Sequence, residues 1–310
     1  MRRFLWRTTS ALAAALGALA LAPPPAAAVA GQPAPAPRAA LADEGVVASW
    51  FSGTIAAGAS QDRVWTDTGP AGTAFEVGLI PVGATTQESC QFEVTRTWYT
   101  QQWRGGRQFH LTITNTGAIA CATNIHLTSV ASFRTWSTNG LNPGGSRSWT
   151  WNNANPIEWV YTVGLSPTGS TNTDECQLSV TRTWYARQPS GEREFKVTVR
   201  NVGDIACQGD VLLARVENVN GRSRHRAVDP GRETVGTALG ESSVLVYKYA
   251  LLPDVPPSGH TCQFQIIGER FLELISNDTG QRSHVHRFDV RNVGNVNCAT
   301  ESRWARLATT

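Results

Sequence analysis

The sequence predicts an all-β protein made of three tandem β-sandwich repeats of about 86 residues, each stapled by one disulfide. Three observations predict this fold class: the chain repeats itself at a fixed period, its six cysteines follow that period, and apolar residues alternate with polar ones. Self-similarity at a fixed period indicates that one supersecondary unit is used several times.

The period is clearest at the first cysteine of each repeat, which recurs every 86 residues at Cys90, Cys176 and Cys262. Residues 90–99 read CQFEVTRTWY, and residues 176–185 read CQLSVTRTWY. An Asn-x-Gly motif follows in each repeat, at Asn115, Asn201 and Asn292. The third repeat keeps the first three residues of the cysteine motif and then diverges.

Alternating apolar residues predict strands. Phe109, Leu111 and Ile113 alternate with polar residues, and residues 195–199 repeat the pattern in the second repeat. Gly-Gly, Asn-Gly and Pro-Gly pairs separate these runs and mark turns. Short strands with turn signals about every ten residues, in units of this length, indicate immunoglobulin-like sandwiches.

The cysteines predict their own pairing. If the two strands after each first cysteine form a hairpin, bonded cysteines should lie symmetrically about the turn. The midpoints of the sequential pairs fall at or beside the turn glycines Gly105, Gly191 and Gly280. The expected bridges are therefore Cys90–Cys121, Cys176–Cys207 and Cys262–Cys298. No metal is expected, because the cysteines lack the close spacing of zinc ligands.

The ends of the chain set the domain boundaries. Residues 1–30 have the basic start, apolar stretch and small-residue cleavage site of a signal peptide, and residues 31–45 form a Pro/Ala-rich linker. The repeats are then expected at residues 46–132, 133–218 and 219–310. The same period also allows a different set of boundaries, in which each folding unit starts at the first cysteine of its repeat. The two terminal half-sandwiches would then complete one another, as a ring within one molecule or as a chain of molecules.

The net charge and the hydropathy of the chain indicate which classes of partner to expect. Without the three signal arginines the basic residues fall from 27 to 24, which equals the 24 acidic residues. A neutral protein has no electrostatic attraction for nucleic acid, so no nucleic-acid partner is expected. No membrane span is expected after signal removal. Disulfides and an export signal together predict a secreted, extracellular location.

Known catalytic patterns do not occur in the sequence. It contains no Gly-x-Ser-x-Gly elbow, His-Glu-x-x-His helix or phosphate-binding loop. We therefore expect no enzyme activity, no catalytic residue and no cofactor.

Two tryptophans are candidate ligand contacts because neither has an aromatic counterpart in another repeat. Trp103 aligns with Pro189 beside a hairpin turn, and Trp149 aligns with Arg63. An exposed tryptophan offers a flat platform for a sugar ring or a protein partner. By contrast, Trp98 and Trp184 recur at equivalent positions, and we expect them in the core with an arginine stacked on each.

The order of motifs resembles a known family. A strand, Asn-x-Gly, an alternating strand, the string LNPGGS at residues 141–146 and a strand at residues 161–165 resemble bacterial immunoglobulin-like repeats of the CARDB type. The resemblance implies the sandwich fold, and it implies surface adhesion as a function.

These features favour a secreted, non-catalytic binding or adhesion protein, in which sandwiches are the scaffold and variable turns contact a glycan, cell-wall or protein ligand. Two alternatives remain. The chain could be a structural subunit of a surface assembly that self-associates by strand pairing, or a secreted enzyme without a recognisable motif.

Overall fold

The computed structural model describes residues 46–66, 72–217, 221–240 and 244–309. The expected signal peptide and linker lie outside the described residues. Within these residues the protein is all-β and contains no helix, which confirms the predicted fold class. The described part of the chain therefore has no helix that could cross a membrane.

The described residues form seventeen strands. They are β1 (Val46–Phe51), β2 (Ser60–Trp65), β3 (Thr73–Val82), β4 (Cys90–Gln101), β5 (Arg107–Asn115), β6 (Ala122–Ser137), β7 (Ser146–Trp151), β8 (Trp159–Thr168), β9 (Cys176–Arg187), β10 (Arg193–Asn201), β11 (Gln208–Glu217), β12 (Arg222–Val228), β13 (Glu233–Gly240), β14 (Val244–Pro253), β15 (Cys262–Ile275), β16 (Arg282–Asn292) and β17 (Cys298–Thr309).

Strand pairing forms a nine-stranded, a five-stranded and a three-stranded sheet. Within these sheets, each repeat contributes two three-stranded antiparallel groups that pack as a sandwich. The first has β2-β5-β4 and β1-β6-β3, the second β7-β10-β9 and β6-β11-β8, and the third β13-β16-β15 and β12-β17-β14. Strand β6 serves two sandwiches, because residues 122–131 pair with β3 and residues 132–137 pair with β11. Whether each sandwich folds alone stays a prediction.

The three predicted disulfides are confirmed. Cys90 bonds to Cys121, Cys176 to Cys207 and Cys262 to Cys298, with Cα–Cα distances of 6.0, 5.3 and 5.9 Å. Each bridge joins the start of β4, β9 or β15 to the start of β6, β11 or β17 in the opposite sheet. The disulfides therefore staple the two sheets of each sandwich together.

The Asn-x-Gly motif fixes the turn after β5, β10 and β16. Asn115 is fully buried, and its side-chain amide donates hydrogen bonds to the carbonyl oxygens of Ile55 and Ile119 at 2.9 and 2.8 Å. Its Oδ1 accepts a hydrogen bond from the Gly117 N–H at 3.0 Å. The buried amide is thus satisfied on both sides, as burial of a polar group requires. Asn201 and Asn292 make the equivalent contacts.

Strands β4, β9 and β15 join the sandwiches into a closed ring. The end of each strand pairs with the beginning of the next: residues 99–101 with 176–178, residues 185–187 with 262–264, and residues 270–273 with 90–93. The third junction connects the last sandwich to the first. Since equivalent residues pair at all three junctions, an approximate threefold axis relates the sandwiches. The pairing of residues 90–93 with residues 270–273 forms the ring within one molecule that the cysteine-start alternative implied. The boundaries of the folding units stay a prediction.

Glu273 fastens the junction that closes the ring. Its buried carboxylate accepts hydrogen bonds from the main-chain N–H groups of Gly83 and Ala84 in the first sandwich at 2.7 and 2.8 Å. Arg282 of its own sandwich donates a further hydrogen bond at 2.7 Å. The equivalent positions in the other two strands hold different side chains, Gln101 and Arg187. Each junction thus has its own chemistry, which favours one order of sandwiches around the ring.

Candidate functional site

A cavity of about 550 Å³ lies at the approximate threefold axis. Its walls are the middle segments of the ring strands, residues 93–97, 179–183 and 265–269. The ring strands pair with one another only at their ends. Their middle segments therefore stand apart and leave a central opening.

Three equivalent β-bulges shape these walls. The register shifts between Val94 and Arg96 in β4, at the same position in β9, and between Ile266 and Gly268 in β15. The extra residues are spaced by 86 positions, at Thr95, Thr181 and Ile267. A bulge bends a strand and re-aims the side chains beside it, so these three bulges turn neighbouring side chains toward the cavity.

Three equivalent side chains meet one another at the cavity. Glu76 on β3, Thr162 on β8 and Lys248 on β14 are separated by 86 residues each, and all three line it. The Thr162 hydroxyl donates a hydrogen bond to one oxygen of Glu76, and the Lys248 ammonium donates to the other at 3.0 Å. One aligned position of the three repeats thus carries three different side chains, and these form a hydrogen-bonded triad.

Lys248 remains charged in this setting. Burial lowers the pKa of Lys248, but the Glu76 and Glu269 carboxylates outweigh burial and hold that pKa above its ordinary value. The ion pair with Glu76 is half-buried, so it is screened less by solvent than a surface pair.

The third and first sandwiches together supply an acidic wall. Glu269 occupies the position of Thr97 and Thr183, and Glu93 lies on the strand that pairs with β15. Burial raises the pKa of Glu269; Lys248 partly offsets this, while Glu93 and Glu76 add to it. Burial also raises the pKa of Glu93. Both carboxyl groups line the cavity.

The arginine–tryptophan pairs differ from the expectation. Arg96 stacks on Trp98 at 4.5 Å and Arg182 on Trp184 at 4.6 Å, as expected, but both tryptophans are only half-buried. The tyrosine that follows each tryptophan occupies the core instead: Tyr99 is 3% exposed and Tyr185 is 4% exposed. The bulge accounts for this difference, because one inserted residue moves every later side chain of the strand to the opposite face.

The two candidate tryptophans lie in unlike surroundings. Trp103 is 57% exposed at the β4–β5 turn, and the Arg104 guanidinium lies 4.6 Å from its ring centroid. Trp149 is half-buried on β7 beside Val197 and packs against the core. Neither residue lines the cavity. Trp103 thus retains an accessible surface, whereas Trp149 presents little of its ring to a ligand.

The residues that the repeats share in sequence do not identify the cavity. Its signal lies in what the repeats do not share: Glu76, Thr162 and Lys248 differ at one aligned position, and Lys248 is one of only two lysines in the chain.

Comparisons of the chain with protein-family models, with curated proteins and with solved structures found no match. The CARDB-type resemblance therefore stays an expectation.

Proposed function

We propose that this chain is a secreted, non-catalytic binding protein that holds a small polar ligand in the axial cavity. The observation that carries the proposal is the cavity itself, which has a volume of about 550 Å³ and draws its walls from all three sandwiches. Ligand sites typically enclose about 300–1,000 Å³ and combine an apolar lining with a few oriented polar groups.

The lining has this mixed character. The buried aromatic side chains of Phe75, Tyr161 and Phe271 lie at its inner end, while hydroxyl groups and the Glu76–Lys248 ion pair supply polar contacts. The triad is held by hydrogen bonds within the protein, so a ligand would meet a preorganised site. Export is supported by the signal-like N-terminal sequence and by the three disulfides, which persist in oxidising compartments.

The ring bears on the alternative of a strand-paired surface assembly. The ends of β4 and β15 that would be free in an open chain pair with one another inside one molecule. Fewer free strand edges then remain for head-to-tail association, so we favour binding over assembly.

The test uses a variant that blocks the cavity. Thr181 is an exposed bulge residue that lines the cavity, so Thr181→Trp should fill the opening without disturbing the core. Thr150→Trp, on the exposed face of β7, is the matched control. Both variants and the wild type are titrated by NMR with monosaccharides, amino acids, polyamines and small carboxylates.

The proposal expects at least one compound to bind the wild type and Thr150→Trp but not Thr181→Trp. Failure of every compound at millimolar concentration, or binding that Thr181→Trp leaves intact, would reject the axial cavity as the binding site.

A further inference from the structure

The third sandwich makes the cavity unsymmetrical in charge, because its ring strand is more negative than the two equivalent strands. The first two ring strands carry Arg96 and Arg182 at equivalent positions, whereas β15 carries Gly268. The next position holds threonine in the first two strands and Glu269 in β15. Relative to its equivalents, the third wall has therefore lost one positive charge and gained one negative charge.

Gly268 is not required by the backbone. Its φ lies outside the left-handed region, and an added Cβ would meet only Asp289 Oδ2 at 3.5 Å and Glu93 Oε1 at 3.6 Å. These are ordinary van der Waals distances, so a side chain would fit here. What glycine provides is open space directly beside the Glu93 carboxylate.

Lys248 and Arg270 are the cations that act on the Glu93 and Glu269 carboxylates, and Arg96, Arg182 and Arg200 also line the cavity. Lys248 donates to Glu76, and Arg270, the register partner of Glu93, forms an ion pair with Asp289. Within the described residues, no group donates a hydrogen bond to Glu93 or Glu269. Carboxylates that lack a hydrogen-bond donor in a half-buried cavity favour an ammonium group that can donate to them.

Hydroxyl groups surround this acidic wall. Thr95, Thr97, Thr181 and Thr183 line the cavity together with Ser179, whose hydroxyl donates to the Thr97 carbonyl oxygen at 2.7 Å. Hydroxyl groups donate and accept, so they suit a ligand that carries hydroxyls of its own.

We infer that the ligand is a small hydroxylated amine, such as an amino sugar or amino alcohol, whose ammonium group binds between Glu93 and Glu269 in the space left by Gly268. This inference rests on the proposed function and names the ligand class for the same cavity. The ammonium group would supply the hydrogen-bond donors that Glu93 and Glu269 lack within the described residues.

The test compares three probes of similar size at pH 6.5: glucosamine, which is cationic, and N-acetylglucosamine and glucose, which are neutral. Calorimetric titration should show glucosamine binding at least tenfold more tightly than either neutral sugar. Charge is the main difference between the probes, so this ratio measures the contribution of the carboxylates.

Two variants restore the residues of the other repeats. Glu269→Thr should weaken glucosamine binding at least tenfold, and Gly268→Arg should abolish it by filling the space and pairing with Glu93. Threonine and arginine already occupy these positions in the first two sandwiches, and Gly268→Ala is the substitute if the arginine variant does not fold. Glu192→Thr makes the same chemical change at an exposed turn and should leave binding unchanged.

The inference is overturned if the neutral sugars bind as tightly as glucosamine, or if glucosamine binding survives Glu269→Thr and Gly268→Arg. In either case the proposed function stands provided that Thr181→Trp blocks the binding that is seen. If no probe binds the wild type, the amine inference fails, and the wider compound panel decides the proposed function separately.

Discussion

His286 should make the third sandwich sensitive to acid. It is buried on β16 at the core position that Phe109 and Phe195 occupy in the other sandwiches, once the five extra residues of the third hairpin are allowed for. Its Nδ1 lies 2.8 Å from the Tyr249 hydroxyl, and its ring packs edge-on against Phe271 with centroids 4.0 Å apart. Burial, followed by the nearby His284, lowers the pKa of His286 to about 3.

The direction of the effect follows from proton uptake. In the unfolded chain a histidine titrates near pH 6.5, so between pH 6.5 and pH 3 the unfolded state binds a proton that folded His286 does not. The stabilisation is fully present above pH 6.5 and is lost as the pH falls. At pH 4 the loss is about 2.5 pH units multiplied by 1.36 kcal/mol per unit, or roughly 3 kcal/mol.

The assay compares urea unfolding of the wild-type chain at pH 7 and pH 4 with that of His286→Phe, which inserts the residue of the other repeats. Wild type should lose about 3 kcal/mol more than the variant between the two pH values. Every other titrating group is common to both proteins, so the difference isolates His286. His260→Phe changes an exposed histidine and should behave as wild type. Equal losses in wild type and His286→Phe would show that His286 is not the source of the acid sensitivity.

Two further predictions concern tryptophans and the ring. Trp184→Ala should cost about 1–2 kcal/mol in urea unfolding, because the half-buried ring loses its Arg182 stack, whereas exposed Trp103→Ala should cost under about 0.5 kcal/mol. Equal losses would contradict this division. Glu273→Ala should cost roughly 3 kcal/mol because it leaves two N–H groups of the first sandwich unpaired, and Glu273→Gln, which keeps an acceptor oxygen, should cost less. Equal stability of the two Glu273 variants would contradict the hydrogen-bonding role.

The sequence predicts the features that repeat. Period, alternation and the symmetric positions of cysteines about turn glycines identify the strands and all three bridges. The face occupied by Trp98 and Trp184 was predicted wrongly, because simple alternation does not register a bulge such as the one at Thr95.

Sequence patterns of this kind do not predict the ring or its cavity. Ring closure pairs residues 90–93 with residues 270–273 through main-chain groups, which every residue type offers. The triad joins Glu76 to a lysine 172 positions away, and no local spacing announces that contact. Only the divergence of aligned positions marks these residues in the sequence.

Amide hydrogen exchange at the β4–β15 junction shows whether the ring is closed in solution. Successive N–H groups of a strand point to opposite sides, so a strand paired on one side only protects every second amide. If the ring is closed, consecutive amides in residues 91–93 and 270–273 should all exchange slowly, like those of the β4–β9 junction. Fast exchange at every second amide of both segments, with the others protected by β5 and β16, would show that the first and third sandwiches do not pair and would contradict the ring and its cavity.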